Sequence, residues 1–145
     1  MKPRLPPTEC NCLAIRQASR QLTQLYDDEL APCGLRTTQY SVLSVLDRSG
    51  GATIQELAAA LVMDRSTLGH NLRPLERDRL IKLAINGRDR RARTLRLTEA
   101  GRARLKEARR CWAKAQARFH EGFGEDAARR LRALLRRVIR AASPA

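Results

Sequence analysis

The sequence predicts a mainly α-helical (α+β) chain that carries one β-hairpin. Across residues 53–77, apolar side chains recur every three or four positions, as they do in helices buried on one face. Across residues 81–97, apolar and polar side chains alternate instead, which is the period of a strand. Amphipathic helical patterns flank this segment on both sides. We therefore expect a central pair of short helices and a hairpin, enclosed by helices from the two ends of the chain.

The two central helices are expected to form a helix-turn-helix. Asp64 lies in the turn and can cap the second helix, because its carboxylate can accept hydrogen bonds from unpaired backbone N–H groups. Leu68, Leu72 and Leu75 form the apolar face of that helix. Pro74 removes a backbone N–H, so we expect the helix to kink or end there. Such a helix fits the B-DNA major groove, which is about 12 Å wide. Its polar face consists of Arg65, Ser66, Thr67, His70, Asn71 and Arg73.

The predicted hairpin carries a concentration of arginine at its tip. Asn86-Gly87 favours a sharp turn, because both residues tolerate a positive φ. The arginines that follow are long enough to reach a minor groove or the flanking phosphates. They are Arg88, Arg90, Arg91 and Arg93. We expect Asp89 to pair with a loop arginine and to hold the tip in shape. A basic hairpin directly after a groove-reading helix is typical of a DNA-binding wing.

The remaining helices are expected on either side of this head. Pro-rich residues 1–9 are expected to be extended or disordered. With no signal-peptide core and no run of about 18 apolar residues, the chain is expected to be soluble and cytoplasmic. We expect Gly122 and Gly124 to interrupt the long helix that follows the hairpin. The expected helices run from about Asn11 to Ala31, Leu35 to Arg48, Ala100 to His120 and Asp126 to Ala142.

The last helix carries an apolar stripe surrounded by arginine. Its stripe must be buried against something, because an isolated helix of this length is unstable in water. We expect the N- and C-terminal helices to form a homodimer. Two alternatives stay open, namely a helix lying on a membrane and an interface with another protein. The stripe consists of Leu131, Leu134, Leu135, Val138 and Ile139.

The charge of the chain favours a polyanionic partner. Its 29 Lys and Arg residues against 15 Asp and Glu residues give a formal net charge of +14. Such a field promotes fast, salt-sensitive association with nucleic acid. A non-specific nucleoid-type or RNA-binding protein would also explain the charge, whereas polar side chains in the first turns of the reading helix favour base readout.

The order of these motifs resembles the multiple-antibiotic-resistance regulator (MarR) family from about Leu13 to Ile139. The motifs are the helix-turn-helix, Leu75-Glu76, Leu80-Ile81, Asp89-Arg90-Arg91 and Leu97-Thr98-Glu99-Ala100-Gly101. The resemblance implies a bacterial winged helix-turn-helix transcription factor, more often a repressor, that binds a palindromic operator as a homodimer. It implies a single domain over residues 1–145. Residues 36–101 would form the DNA-binding head, and residues 10–34 and 102–142 would form the dimerisation helices.

Two positions depart from the family pattern. His70 stands where the family often has Arg, which puts one contact with DNA in doubt. Arg79 replaces a Gly that is usual before the first strand, so a non-Gly residue must enter or alter that turn. Asp89 and Arg91 match the recurrent wing residues of the family.

The candidate DNA contacts therefore lie on three elements. Ser66, Thr67, His70 and Asn71 are assigned to base edges or nearby phosphates, and Arg65 and Arg73 to phosphates. Arg88, Arg90 and Arg91 belong to the wing. Thr37, Thr38 and Gln39 start the second helix, where backbone N–H groups can bind phosphate.

The signal that would release DNA has two candidate chemistries. By analogy with the family, a small aromatic or phenolic acid would lie near Arg16, Arg20, Tyr40, Cys111 and Trp112. Thiol oxidation would use Cys10, Cys12 and Cys33, of which the first two lie beside a helix N-terminus that favours the thiolate. Inert, buried cysteines are the alternative. No metal site, cofactor, membrane partner or enzymatic constellation is expected.

Overall fold

A computed structural model of the chain describes residues 9–85 and 93–144. The chain folds into six α-helices, a short 3₁₀ turn at Ala31–Cys33 and a two-stranded hairpin within these residues. The expected mainly α architecture with a β-hairpin is confirmed. In chain order the elements are α1 (Asn11–Leu30), α2 (Thr37–Ser49), α3 (Ile54–Leu61), α4 (Arg65–Arg77), β1 (Ile81–Ile85), β2 (Arg93–Leu97), α5 (Glu99–Phe123) and α6 (Glu125–Ala142).

The hairpin is anchored to the helical head by its second strand. β1 and β2 pair antiparallel, with Ile81 opposite Leu97 and Leu83 opposite Leu95. Ala52 adds a short bridge to Leu95 through two backbone hydrogen bonds of 3.0 and 2.8 Å. Leu95 is fully buried, whereas Leu83 is 50% exposed and Ile85 is 71% exposed. The base of the hairpin thus belongs to the core, and the strands extend beyond it.

One continuous leucine-rich core joins the head to α5. Leucines from α2, α3, α4, β2 and α5 all lie inside it, and each is at most 1% exposed. They are Leu43, Leu46, Leu57, Leu68, Leu75, Leu95 and Leu105. Burying one such side chain contributes roughly 1.5–3 kcal/mol. Because the cluster joins five elements, packing against the neighbouring elements fixes the position of α4.

Threonine and acidic side chains cap the starts of α3, α4 and α5. Thr53 and Glu56 form a capping box at α3, and the Glu56 carboxylate accepts from Thr53 N at 2.8 Å. Asp64 caps α4 by accepting from Thr67 N at 2.7 Å, as expected. Backbone hydrogen bonds lower the pKa of both Glu56 and Asp64, because they favour the ionised carboxylate. Thr98 caps α5 by accepting from Gly101 N at 3.0 Å.

At two positions a helix continues past a residue that was expected to interrupt it. α4 does not end at Pro74 but continues to Arg77, where Asp78 N donates to Pro74 O at 3.0 Å. Proline removes one hydrogen bond, and the burial of Leu75 in the next position holds the last turn in place. Gly122 does not interrupt α5, which ends only at Gly124, where φ is +95°.

Arg79 stands where the family usually has Gly, and it enters the turn in the backbone conformation that glycine would adopt. Arg79 adopts a φ of +55°, a conformation that normally favours glycine. Its carbonyl accepts from the Thr98 hydroxyl at 2.7 Å, and Thr98 N donates to Leu80 O at 3.1 Å. These bonds fasten the end of α4 to the start of α5.

We predict that Gly101→Ala destabilises the fold. A Cβ at Gly101 would lie 2.0 Å from the Leu80 carbonyl oxygen, so the backbone must move to admit it. Forcing a methyl group into such a contact costs roughly 1–3 kcal/mol of unfolding free energy. Urea denaturation followed by circular dichroism measures this cost.

Gly122→Ala is the matched control in the same helix. A Cβ there meets nothing within 4 Å, so the change should raise stability by about 0.5–1 kcal/mol. Equal stability of the two variants would contradict the close approach of α5 to Leu80.

Candidate nucleic-acid interface

The candidate reading helix α4 separates an apolar face from a polar one. Leu68, Leu72 and Leu75 are buried on the inner face. The exposed side chains of the other face are Arg65, Ser66, Thr67, His70 and Arg73. The Asp64 cap holds the first turn, because Asp64 accepts both from Thr67 N and, at 2.8 Å, from the Thr67 hydroxyl.

Asn71 sits differently from the other candidates on α4. It is half-buried, and its amide donates to the Thr67 carbonyl at 3.1 Å and lies 3.7 Å from the Met63 sulfur. The amide therefore bonds within the helix-turn-helix in this structure. In the first two turns of α4, the outward-facing side chains are Arg65, Ser66, Thr67 and His70.

The N-terminus of α2 is already hydrogen-bonded to a carboxylate of the same chain, that of Asp27. Asp27 of α1 accepts both from Thr37 N and from the Thr37 hydroxyl, each at 2.7 Å. Gln39 is also engaged, because its side-chain oxygen accepts from Arg36 N at 2.8 Å. The sequence did not reveal Asp27, which occupies the position that a phosphate was expected to take at Thr37. Thr38 lies half-buried beside it.

The described part of the hairpin adds two basic side chains, Lys82 and Arg96, to the arginines that were expected there. Lys82 and Arg96 are exposed and lie directly opposite each other across the two strands. Like charges in this arrangement repel, and an anion between them relieves the repulsion. Arg93 is exposed at the start of β2. Arg88, Asp89, Arg90 and Arg91 lie outside the described residues. Lys82 could have been found from the strand alternation, which places it opposite Arg96.

A cavity of about 550 Å³ lies between the head and the long helices. Tyr40 and Trp112 form its aromatic wall, with ring centroids 6.1 Å apart and planes inclined by 13°. Burial raises the pKa of Tyr40, while nearby Arg109 and Arg48 oppose that rise. The cavity has the size of a small-molecule site. It is lined by Tyr26, Thr37, Tyr40, Ser41, Ser44, Val45, Arg48, Ala60, Leu61 and Trp112.

The cationic side chain in this lining differs from the ones that the sequence suggested. Arg48 contributes to the lining, whereas Arg16 and Arg20 are exposed on α1 and stand apart from it in the described chain. Tyr40, Ser44 and Arg48 follow one another at steps of four on α2, so helical spacing alone could have placed Arg48 on the face of Tyr40.

The four cysteines fall into two groups. Cys10 caps α1, where Leu13 N donates to its sulfur at 3.4 Å, and Cys12 is exposed in the first turn. Cys33 and Cys111 lie 78 positions apart in the chain, yet their sulfurs are 2.6 Å apart. Burial, followed by the hydrogen bond with Cys111, raises the pKa of Cys33 to about 11. The sequence placed these two residues in different candidate sites, and the structure brings them together.

Neither a metal-binding cluster nor a membrane-spanning helix is found among the described residues. Across residues 9–85 and 93–144, no cluster of three or more His, Cys, Asp or Glu side chains is arranged to hold a metal ion. Within the same ranges, no helix has both the length and the apolar character needed to span a bilayer.

Comparison with known proteins identifies the family. The MarR family model matches residues 34–92. The transcriptional regulator MosR of M. tuberculosis, in complex with DNA, is 37% identical over 94% of this chain and 100% of its own, with a TM-score of 0.79. CouR, a transcriptional repressor bound to a 23-mer DNA duplex, is 30% identical over 90% of this chain and 92% of its own, with a TM-score of 0.80.

More distant structures share the fold. A MarR variant from E. coli, complexed with operator DNA, is 21% identical over 87% of this chain and 91% of its own, with a TM-score of 0.77. No curated protein matched the sequence. The identity to MosR over nearly the whole chain, together with the helix-turn-helix and hairpin described above, decides the assignment. The chain belongs to the MarR family of DNA-binding transcriptional regulators, which are not enzymes.

Proposed function

We propose that the protein is a homodimeric repressor that binds a palindromic operator, with α4 of each copy in a major groove. The observation that carries this proposal is the two-faced character of α4, whose leucine face is buried and whose polar face is exposed. Ser66, Thr67 and His70 suit base edges, and Arg65 and Arg73 suit phosphates. The named DNA complexes of MosR and CouR support the same mode of action.

The hairpin and the start of α2 supply the flanking contacts in this proposal. Lys82, Arg93 and Arg96 extend a basic surface toward the wing, where Arg88, Arg90 and Arg91 follow in the sequence. Asp89 is proposed to hold the wing arginines in place. Thr38 is the candidate at the start of α2, because Thr37 and Gln39 already bond within the protein.

Two copies are proposed to pair through α1, α5 and α6. The α6 stripe is largely uncovered, with Leu134 52% exposed and Ile139 46% exposed. Beside it lies an apolar groove of about 360 Å³, lined by Ala18, Gln21, Leu22, Leu25, Phe119, Phe123 and Leu131. An apolar surface of this extent on a highly charged chain favours a protein partner, and a palindromic operator requires two copies.

Release from DNA is proposed to follow from a small aromatic acid or from thiol oxidation. The cavity beside α2 offers Arg48 for a carboxylate and the Tyr40–Trp112 wall for a ring. Because helices of the head and α5 both line it, a ligand there would alter how the head sits on α5. The alternative function, a non-specific nucleoid-type or RNA-binding protein, predicts equal affinity for every duplex.

The first test compares a duplex from the region upstream of its own gene with a scrambled duplex of equal length. We expect clear preference for the native duplex at two salt concentrations, measured by fluorescence anisotropy. His70→Ala should weaken discrimination at one or two base pairs by about 1–3 kcal/mol. Arg73→Ala should instead weaken binding to both duplexes and reduce the salt slope by about 1.

Arg110→Ala is the control for removing a charge, because Arg110 is exposed on α5 and is not among the residues assigned to DNA contacts. It should leave the discrimination intact. Equal affinity for both duplexes, with a steep salt slope, would reject the repressor in favour of the non-specific binder.

A second prediction concerns the dimer. Val138→Asp places a charge in the α6 stripe and should yield a monomer with about 100-fold or greater loss of operator affinity, since a buried unpaired charge costs several kcal/mol. Sedimentation velocity measures the oligomeric state. Ala133→Asp introduces the same charge on α6 outside the apolar stripe and should stay dimeric. A dimeric Val138→Asp variant would remove α6 from the proposed interface.

A third prediction concerns the ligand cavity. The chain contains a single tryptophan, Trp112, so its fluorescence reports directly on this cavity. Titration with 4-hydroxybenzoate should quench it, and Arg48→Met should weaken the binding about tenfold or more by removing a charge-assisted hydrogen bond. Arg16→Met, which alters an exposed arginine outside the lining, should bind as the wild type does. Equal effects of both variants would remove Arg48 from the ligand site.

A further inference from the structure

The contact between Cys33 and Cys111 is the feature that the proposed function leaves unused. Their sulfurs lie 2.6 Å apart, about half an ångström more than the ~2.05 Å of a disulfide bond. Both side chains are half-buried against the leucine core. The two thiols therefore need almost no backbone movement to become bonded.

Each sulfur is held by a rigid part of the fold. Cys33 ends the 3₁₀ turn between α1 and α2, and its carbonyl accepts from Arg104 of α5 at 3.4 Å. Gly34 follows it with a φ of +69°, which turns the chain into α2. Cys111 lies in the middle of α5, next to Trp112 of the cavity wall. Proximity thus results from the packing of the turn on α5.

We propose that Cys33 and Cys111 form a dithiol site, which a hydroperoxide oxidises to an intramolecular disulfide that weakens operator binding. This inference rests on the proposed repressor function and specifies one of its two release chemistries. It assigns an oxidisable pair to Cys33 and Cys111.

The reaction balances with the hydroperoxide as the only oxidant. One thiolate attacks the hydroperoxide, the O–O bond breaks, and an alcohol or water leaves as a sulfenic acid forms on that sulfur. The second thiol then attacks the sulfenic sulfur, the S–O bond breaks and water leaves as the S–S bond forms. Two thiols have lost two electrons and two protons in total, and the hydroperoxide has taken them up.

The chain segment enclosed by the new bond explains the effect on DNA. Residues 34–110 contain the whole of α2, α3, α4, β1 and β2. A bond between Cys33 and Cys111 therefore closes the head into a loop fastened to α5. Two heads must fit half-sites about 34–36 Å apart, so fixing each head on α5 restricts the adjustment that DNA binding needs.

The protonation of Cys33 sets the conditions for the reaction. With a pKa of about 11, Cys33 retains its proton at neutral pH, and the thiolate that reacts becomes more abundant as the pH rises. The disulfide is therefore expected to form faster at mildly alkaline pH than at neutral pH. The oxidation experiment is therefore best carried out at mildly alkaline pH.

The test treats the full-length dimer with hydrogen peroxide and locates the bond by mass spectrometry. Trypsin releases Cys33 within residues 21–36 and Cys111 within residues 111–114, so the disulfide joins two peptides that are otherwise separate. We expect this joined peptide in the wild type and in Cys10→Ser/Cys12→Ser. We expect operator affinity of both to fall about tenfold and to return with dithiothreitol.

Cys33→Ser and Cys111→Ser are the matched variants that cannot form the bond. Their operator affinity should not change with peroxide, and Cys33→Ala and Cys111→Ala serve if either serine variant folds poorly. Absence of the joined peptide in the wild type, or release of DNA from Cys33→Ser by peroxide, would overturn the inference. Failure of the reduced wild type to prefer its operator would instead reject the repressor function, while the joined peptide still reports on the thiol pair.

Discussion

Burial of the leucine face of α4 is the constraint on which the rest of the structure depends. Leu68, Leu72 and Leu75 are buried on the face of α4 that packs against α2, α3 and β1, and that packing decides which side chains of α4 remain outside. The end of α4 is in turn fixed by the positive φ of Arg79 and by the Thr98 hydroxyl. Packing of the core therefore determines the orientation of the polar face of α4, and a change in the core would alter that orientation.

The sequence predicts the fold well because its signals are local. Helical spacing, the Asp64 and Thr98 caps and the strand alternation each depend on residues within one turn or one strand. The continuation of α4 past Pro74 and of α5 past Gly122 was not predicted, because it depends on the folded chain as a whole. Each of these residues weakens a helix locally, but burial of Leu75 and the length of α5 compensate in the folded chain.

The candidate sites were harder to predict where two distant segments meet. Asp27 reaches Thr37 across the 3₁₀ turn, and Cys33 meets Cys111 across 78 positions. Neither contact leaves a periodic pattern in the sequence. Arg48 is a different case. Its helical spacing from Tyr40 is visible in the sequence, but the sequence does not show that this face of α2 lines a cavity.

The length of α5 has a geometric consequence for how such regulators diversify. An α-helix advances about 1.5 Å and turns about 100° per residue, so these 25 residues form a rod of roughly 37 Å between the head and α6. Inserting one residue into it would swing the head by about 100°, whereas inserting seven would return it to nearly the same direction about 10 Å further out. A change in length of about two turns therefore preserves the direction of the head, whereas a single-residue insertion does not.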